Sequence, residues 1–120
     1  MITMDYPEGK IRAAVQTVLG MLAQKQYQAL ANLTAPGPEH LQAEDIQRTI
    51  ESYPGTVRMP DENELKFDAV EVEGLSPRQF SVDAPVFTVE EGRSDLTARM
   101  TVIDNKGEDY EIVFYDVWVM

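Results

Sequence analysis

Cysteine is absent from this 120-residue chain, and histidine and tryptophan occur once each. Without thiols there is no disulfide framework and no thiolate chemistry. The one histidine, His40, stands in the segment Pro38-Glu39-His40-Leu41 just ahead of a helical pattern, where a structural role is the expectation. A nucleophile-and-base arrangement is therefore hard to assemble. Basic residues are scarce, 10 against 21 acidic ones, for a formal net charge of −11. Such a field repels phosphates, so nucleic acid and anionic membrane surfaces are poor partners. No apolar run approaches the roughly 20 residues of a membrane helix. The start, Met1-Ile2-Thr3-Met4-Asp5-Tyr6-Pro7, has no basic segment followed by an apolar one, which points to the cytoplasm. There is no glycine-rich phosphate loop. The adjacent pairs Glu90-Glu91 and Glu108-Asp109 point to opposite faces of a strand and cannot easily chelate one ion. Asp104 to Asp109 lacks the alternating ligands of a calcium loop. We expect no catalytic residue, no metal and no cofactor.

What is present is an ordinary globular composition, 43% hydrophobic and 26% charged, in a chain of one-domain length. The charge is unevenly placed. Residues 1–60 carry six acids and five bases, whereas residues 61–120 carry fifteen acids and five bases, a net of −10. This asymmetry either keeps the protein soluble or speeds its encounter with a basic partner.

Residues 1–55 read as helical. Pro7-Glu8 fits a helix start, and Ile11, Val15, Val18, Leu19 and Leu22 recur at helical spacing. Tyr27, Leu30 and Leu33 mark a second short helix, ended by Pro36-Gly37-Pro38. Leu41, Ile46, Ile50 and Tyr53 predict a third, from about Ala43 to Tyr53, stopped by Pro54-Gly55. Thr56 to Glu64 reads as a loop, with Val57 and Met59 touching the core.

Residues 65–120 read as an antiparallel sheet. Leu65, Phe67 and Ala69 alternate, then Val70 and Val72 take the opposite parity, which calls for a bulge near Asp68 or cover on both faces. Phe80, Val82 and Ala84 form the next strand, and Pro85 implies an edge or a bulge. Arg93 to Met120 is a long hairpin. A three-residue loop Asn105-Lys106-Gly107, with Gly107 left-handed, sets Val102 against Tyr110, Met100 against Ile112 and Ala98 against Phe114. The fold class is α+β: one domain with three N-terminal helices on one face of a curved four-stranded antiparallel meander. That element order resembles the cone-shaped fold of nuclear transport factor 2 relatives.

In this register Asp116 shares the parity of Tyr110, Ile112, Phe114 and Trp118 and points to the apolar side. A carboxylate there is a general base at a pocket mouth, as that resemblance implies, or a bulge or the strand end turns it outward, or it bonds nearby backbone N–H groups, Ser94 or an arginine. Arg99 falls diagonal to Glu111, the arrangement of a cross-strand ion pair. Arg93, near Asp95, is the expected companion of a carboxylate at the sheet end. Tyr115, with Val113, Val117 and Val119, makes an apolar strip rimmed by Asp95, Glu108 and Glu111. Such a strip marks an interaction site, unless the N-terminal segment covers it or a homodimer does.

The segment Glu90-Glu91-Gly92-Arg93-Ser94-Asp95-Leu96-Thr97, followed by Asp116-Val117-Trp118-Val119, resembles an uncharacterised family of small bacterial single-domain proteins. The helical half is similar in style, in Val15-Val18-Leu19, Leu33-Thr34 and Ala43-Glu44-Asp45-Ile46. Some small acidic α+β proteins of this type are immunity proteins against secreted toxins. The resemblance, joined to the charge, implies an inhibitor of a basic partner such as a toxin nuclease domain. Glu90, Glu91, Asp95, Glu108, Asp109, Glu111, Tyr115, Asp116 and Trp118 are the expected partner-binding residues. The alternative is a small-molecule carrier or enzyme with a pocket between helices and sheet, with Asp116, Tyr110 or Trp118 at its mouth.

Overall fold

The computed structural model describes residues 7–38 and 40–119. The N-terminal segment expected as cover for the Tyr115 strip, and the last residue of the hairpin, lie outside the described residues. Helix α1 spans Glu8–Ala23 and buries Ile11, Ala14, Val15, Val18, Leu19 and Leu22, the stripe that the helical spacing predicts. Helix α2 is Tyr27–Asn32, with Tyr27, Leu30 and Ala31 buried. Helix α3, Ala43–Ser52, begins where the backbone N–H of Gln42 donates to Asp45 Oδ2 at 3.1 Å. It buries Ile46 and Ile50 and ends before Gly55, whose φ of 136° suits glycine alone.

Five strands follow, one more than the four expected: β1 Val57–Arg58, β2 Asp68–Glu71, β3 Gln79–Thr88, β4 Gly92–Ile103 and β5 Glu111–Val119. The meander β2-β3-β4-β5 is present, and all pairings are antiparallel. The extra strand β1 is two residues long, too short to show a period. It pairs with Phe87 and Thr88, while β2 pairs with Phe80 to Asp83 on the same edge of β3. Pro85 falls between these two partners, beside a register shift in the β3–β4 ladder, which is the bulge that a strand proline implies. The parity change between Leu65 and Val70 needs no bulge. Leu65 belongs to a turn, its N–H donating to Asp61 O at 3.0 Å, and β2 starts only at Asp68.

The β4–β5 hairpin has the predicted partners but another register. Its connection is longer than three residues, running from Asp104 to Tyr110. Asp104 accepts from the Lys106 N–H and Asn105 from the Gly107 N–H, so two Asx turns shape the loop, and Lys106, not Gly107, takes positive φ, at 65°. Val102 therefore faces Ile112, and Met100 faces Phe114. The ladder then shifts: Arg99 faces Asp116, which leaves Tyr115 as the extra residue of a bulge. Beyond it the parity reverses, so Val117 is buried against Ala98 and Asp116 turns away from the core.

The inward face of the sheet carries Phe80, Val82, Ala84 and Val86 on β3, Leu96, Ala98, Met100 and Val102 on β4, and Phe114 and Val117 on β5. Together with the helical stripe they make one hydrophobic cluster. Each large side chain in it contributes roughly 1.5–3 kcal/mol on leaving water. The free edge of β5 meets the segment after α2, where the Phe114 N–H donates to Leu33 O at 2.9 Å. No helix among the described residues is long and apolar enough to cross a membrane.

Candidate binding surface on the outer face of the sheet

The bulge at Tyr115 builds the most distinctive surface of the molecule. Because parity reverses there, Asp116 and Trp118 emerge on the face opposite the helices, beside Arg99 of β4 and Asp83 of β3. Arg99 grips Asp83 with both arms, Nε to Oδ1 at 2.7 Å and Nη2 to Oδ2 at 2.8 Å, and its guanidinium lies 4.8 Å from the centre of the Trp118 ring. The hydrogen bonds from Arg99 hold the Asp83 carboxyl below the usual carboxylate range, against the opposing effect of burial. The expected Arg99–Glu111 pair does not form, because the two-residue change in register moves Glu111 opposite Ile103. Asp116 accepts from the Val117 N–H at 2.8 Å and makes no ion pair among the described residues. Asp116 thus points outward, with the bulge as the cause, and bonds a nearby backbone N–H, two of the alternatives that the sequence left open.

These side chains floor an open cleft of about 670 Å³. Gln79, Ser81 and Thr101 supply its neutral polar groups, while Pro38 and Leu41 wall one side and Val72 and Leu75 the other. Leu75, Val72 and Tyr115 are exposed at 45%, 40% and 40%, which makes the rim apolar. Arg99 is matched by Asp83, and Asp116, the other charged residue of the lining among the described residues, makes no ion pair there. The core between helices and sheet is closed at its centre, where Ile11, Leu30, Met100 and Phe80 are 0–1% exposed. Its margins are open: two crevices measure about 210 and 270 Å³, and a cleft of about 510 Å³ lies between α1, the segment after α2 and the start of β5, lined by Thr17, Met21, Leu33, Tyr110 and Ile112. Of the three residues expected at the mouth of a pocket between helices and sheet, Tyr110 lines both the 210 Å³ crevice, with Lys10, and the 510 Å³ cleft, whereas Asp116 and Trp118 belong to the outer cleft.

The nine expected partner-binding residues fall into separate groups. Glu90 and Glu91 sit in the β3–β4 turn, with Asp95 nearby. Glu90 accepts from the Thr56 N–H at 2.7 Å, which lowers its pKa, and Tyr53 donates to Glu91 at 2.6 Å and accepts from the Asp95 N–H at 3.1 Å. Glu108 and Asp109 lie in the β4–β5 loop, and the Lys10 ammonium bonds the Glu108 carbonyl there. The length of β4, on the order of 36 Å at about 3.3 Å per residue, separates the two ends. Only Tyr115, Asp116 and Trp118 line the cleft. The acids therefore form no single patch, and two further carboxylates spend their charge within the fold: Glu64 on Arg58 at 2.8 Å and Glu71 on Arg78 at 3.0 Å. The Arg58 hydrogen bonds pull Glu64 down to about 2. Arg93, expected to partner a carboxylate at the sheet end, makes no ion pair among the described residues. His40 Nδ1 lies 2.7 Å from Thr34 Oγ1, a contact that ties the α2–α3 loop together.

Sequence reasoning missed Val72 and Leu75 as walls of the cleft. For Val72 the signal was available as the apolar parity switch after Ala69, whereas Leu75 lies in the turn beyond it.

Residues 19–120 match a domain of unknown function, DUF7668. The chain belongs to that family. No curated protein and no solved structure matches it. Every cleft residue lies inside the DUF7668 span, whereas Ile11, Ala14, Val15 and Val18 of the α1 stripe precede it.

Proposed function

We propose that this DUF7668 domain is a protein-binding module for a basic partner and that the outer cleft is its docking site. The carrying observation is the Asp116 carboxylate, without an ion pair among the described residues, lining one cleft with Tyr115 and Trp118 and with the exposed apolar side chains of Val72 and Leu75. A lysine or arginine side chain flanked by apolar residues suits that lining: its charge meets Asp116, its stem the rings, and its neighbours the rim. The net charge of −11 adds long-range attraction toward such a partner and speeds encounter. An immunity-type inhibitor of a cationic toxin domain in the bacterial cytoplasm is the biological form of this reading that the charge and the resemblance favour.

The test is a binding titration of the purified domain against cationic toxin nuclease domains, repeated across salt concentrations. Affinity should fall as salt rises. Asp116→Lys and Tyr115→Ala should each weaken it at least about tenfold, the scale of losing a central contact. Binding that ignores both substitutions sinks the proposal. The second reading, a small-molecule carrier, is favoured by the cleft's volume, which lies within the roughly 300–1,000 Å³ of ligand sites. It predicts saturable binding of a small amphipathic cation with weak dependence on salt.

A further inference from the structure

Four charged residues stand in one row across the outer face of the sheet. Asp68 of β2 is opposite Asp83 of β3, Asp83 is opposite Arg99 of β4, and Arg99 is opposite Asp116 of β5. Arg99 thus has a carboxylate on either side, each one strand away, with backbones roughly 5 Å apart. It serves one of them. Nε and Nη2 both donate to Asp83, at 2.7 and 2.8 Å, and no ion pair joins Arg99 to Asp116 among the described residues. Asp116 instead accepts from the Val117 N–H at 2.8 Å. Two parallel charge-assisted bonds make the Asp83 pairing the stronger choice, and a carboxylate with one oxygen already engaged offers Arg99 a poorer match. In the same pose the guanidinium lies 4.8 Å from the centre of the Trp118 ring.

Arg99 is the one basic residue of the outer cleft's lining among the described residues. It is tethered beside Asp116, so it would compete there with any incoming cation at a high effective concentration if it were released. We infer that Asp83 is a positioning residue for the docking site: by holding Arg99, it keeps the Asp116 carboxylate open to the partner's cation. This rests on the reading of the outer cleft as the docking site for a basic partner. Asp83 does not line the cleft and acts through Arg99. Its own charge reaches a cation at Asp116 only weakly, because two strand spacings, roughly 10 Å, amount to about one Debye length at 0.1 M salt.

The experiment uses the full chain and, as probe, the acetylated and amidated tripeptide Leu-Lys-Leu, a lysine flanked by apolar residues. Binding is read from the emission of Trp118, the single tryptophan of the chain. Asp83→Asn should bind the peptide about threefold to sixfold more weakly than the parent, the scale on which an exposed ion pair competes. Adding Arg99→Gln removes the competitor and should restore affinity to within about twofold of the parent, which a merely structural role for Asp83 does not produce. Asp68→Asn takes the same charge from the same row without freeing Arg99, and should change affinity by less than about twofold. In a crystal structure of Asp83→Asn, the Arg99 guanidinium should lie within about 4 Å of the Asp116 carboxylate, the reach of an ion pair. The inference is overturned if the parent binds the peptide and Asp83→Asn binds it equally well, or if the second substitution restores nothing. It is overturned too if Asp68→Asn weakens binding as much as Asp83→Asn, which makes charge alone the cause, or if Arg99 stays clear of Asp116 in that crystal structure. A parent that does not bind the peptide removes the docking reading and this one with it, a failure told apart from the others because every variant is then equally silent.

Discussion

The two faces of β4 are built on different physics. Toward the helices it presents Ser94, Leu96, Ala98, Met100 and Val102, all buried. Toward the outside it presents Asp95, Thr97, Arg99, Thr101 and Ile103, all exposed or partly so. The inner face gains from area removed from water and from close packing, so any change in volume is felt. The outer face is held by paired charges and a ring contact that solvent partly replaces. One strand thus separates the residues that make the fold from those that can be spent on recognition.

Four substitutions probe that separation. Phe114→Ala on the inner face should destabilise by about 3–5 kcal/mol in urea unfolding, because the ring is 1% exposed and its loss leaves a cavity in the hydrophobic cluster. Ser94→Ala should cost roughly 1–2 kcal/mol, since Ser94 Oγ donates to Val86 O at 2.7 Å and accepts from the Leu96 N–H at 3.1 Å in a buried setting. Arg99→Ala should cost no more than about 1 kcal/mol, its pair with Asp83 being half-exposed. Asp116→Asn should stay within about 0.5 kcal/mol of the parent while weakening attraction for cations. A loss at Arg99 as large as that at Phe114 would erase the distinction between the faces.

Acid sharpens the same contrast. The inner face of β4 holds no titrating group, whereas elsewhere Glu64, Glu71, Asp83, Glu90 and Asp104 all have lowered pKa values, through hydrogen bonds from Arg58, Arg78, Arg99, Thr56 and Lys106 respectively. A carboxylate with a depressed folded pKa contributes stability that is complete above its unfolded value and is lost as protons bind the folded form. For Glu64 the window runs from the ordinary 4.5 down to about 2. Stability should therefore fall across that range. Phe114→Ala should shift the whole curve down in parallel, whereas Glu64→Gln should flatten it, as read from chemical unfolding at a series of pH values.

The helices and the α+β class were legible because their signals are local. Ile11 to Leu22 repeat at helical spacing, and Pro36-Gly37-Pro38 and Pro54-Gly55 break the chain where the helices stop. The hairpin was legible in kind but not in register. Apolar pairs form equally well with Val102 against Tyr110 or against Ile112, and only the Asx turns of Asp104 and Asn105 decide between them. The Tyr115 bulge was open as an alternative yet not decidable. Phe114, Val117 and Trp118 are all apolar, and which of them turn inward depends on packing against Ala98 and α1. The cleft was not legible because Leu41, Leu75 and Trp118 come from three distant parts of the chain. The acidic residues were counted correctly, but their separation follows from the length of β4.

The seating of two short strands end to end along β3, with Pro85 at the junction, has a kinetic consequence. Hydrogen bonding on that border is broken into two stretches, each small enough to open without the other. Under deuterium exchange, Asp68 to Glu71 and Val57-Arg58 should lose protection as two separate groups, well before the amides shared by β3 and β4. The rigid centre of the sheet would then carry a margin that loosens in two independent steps.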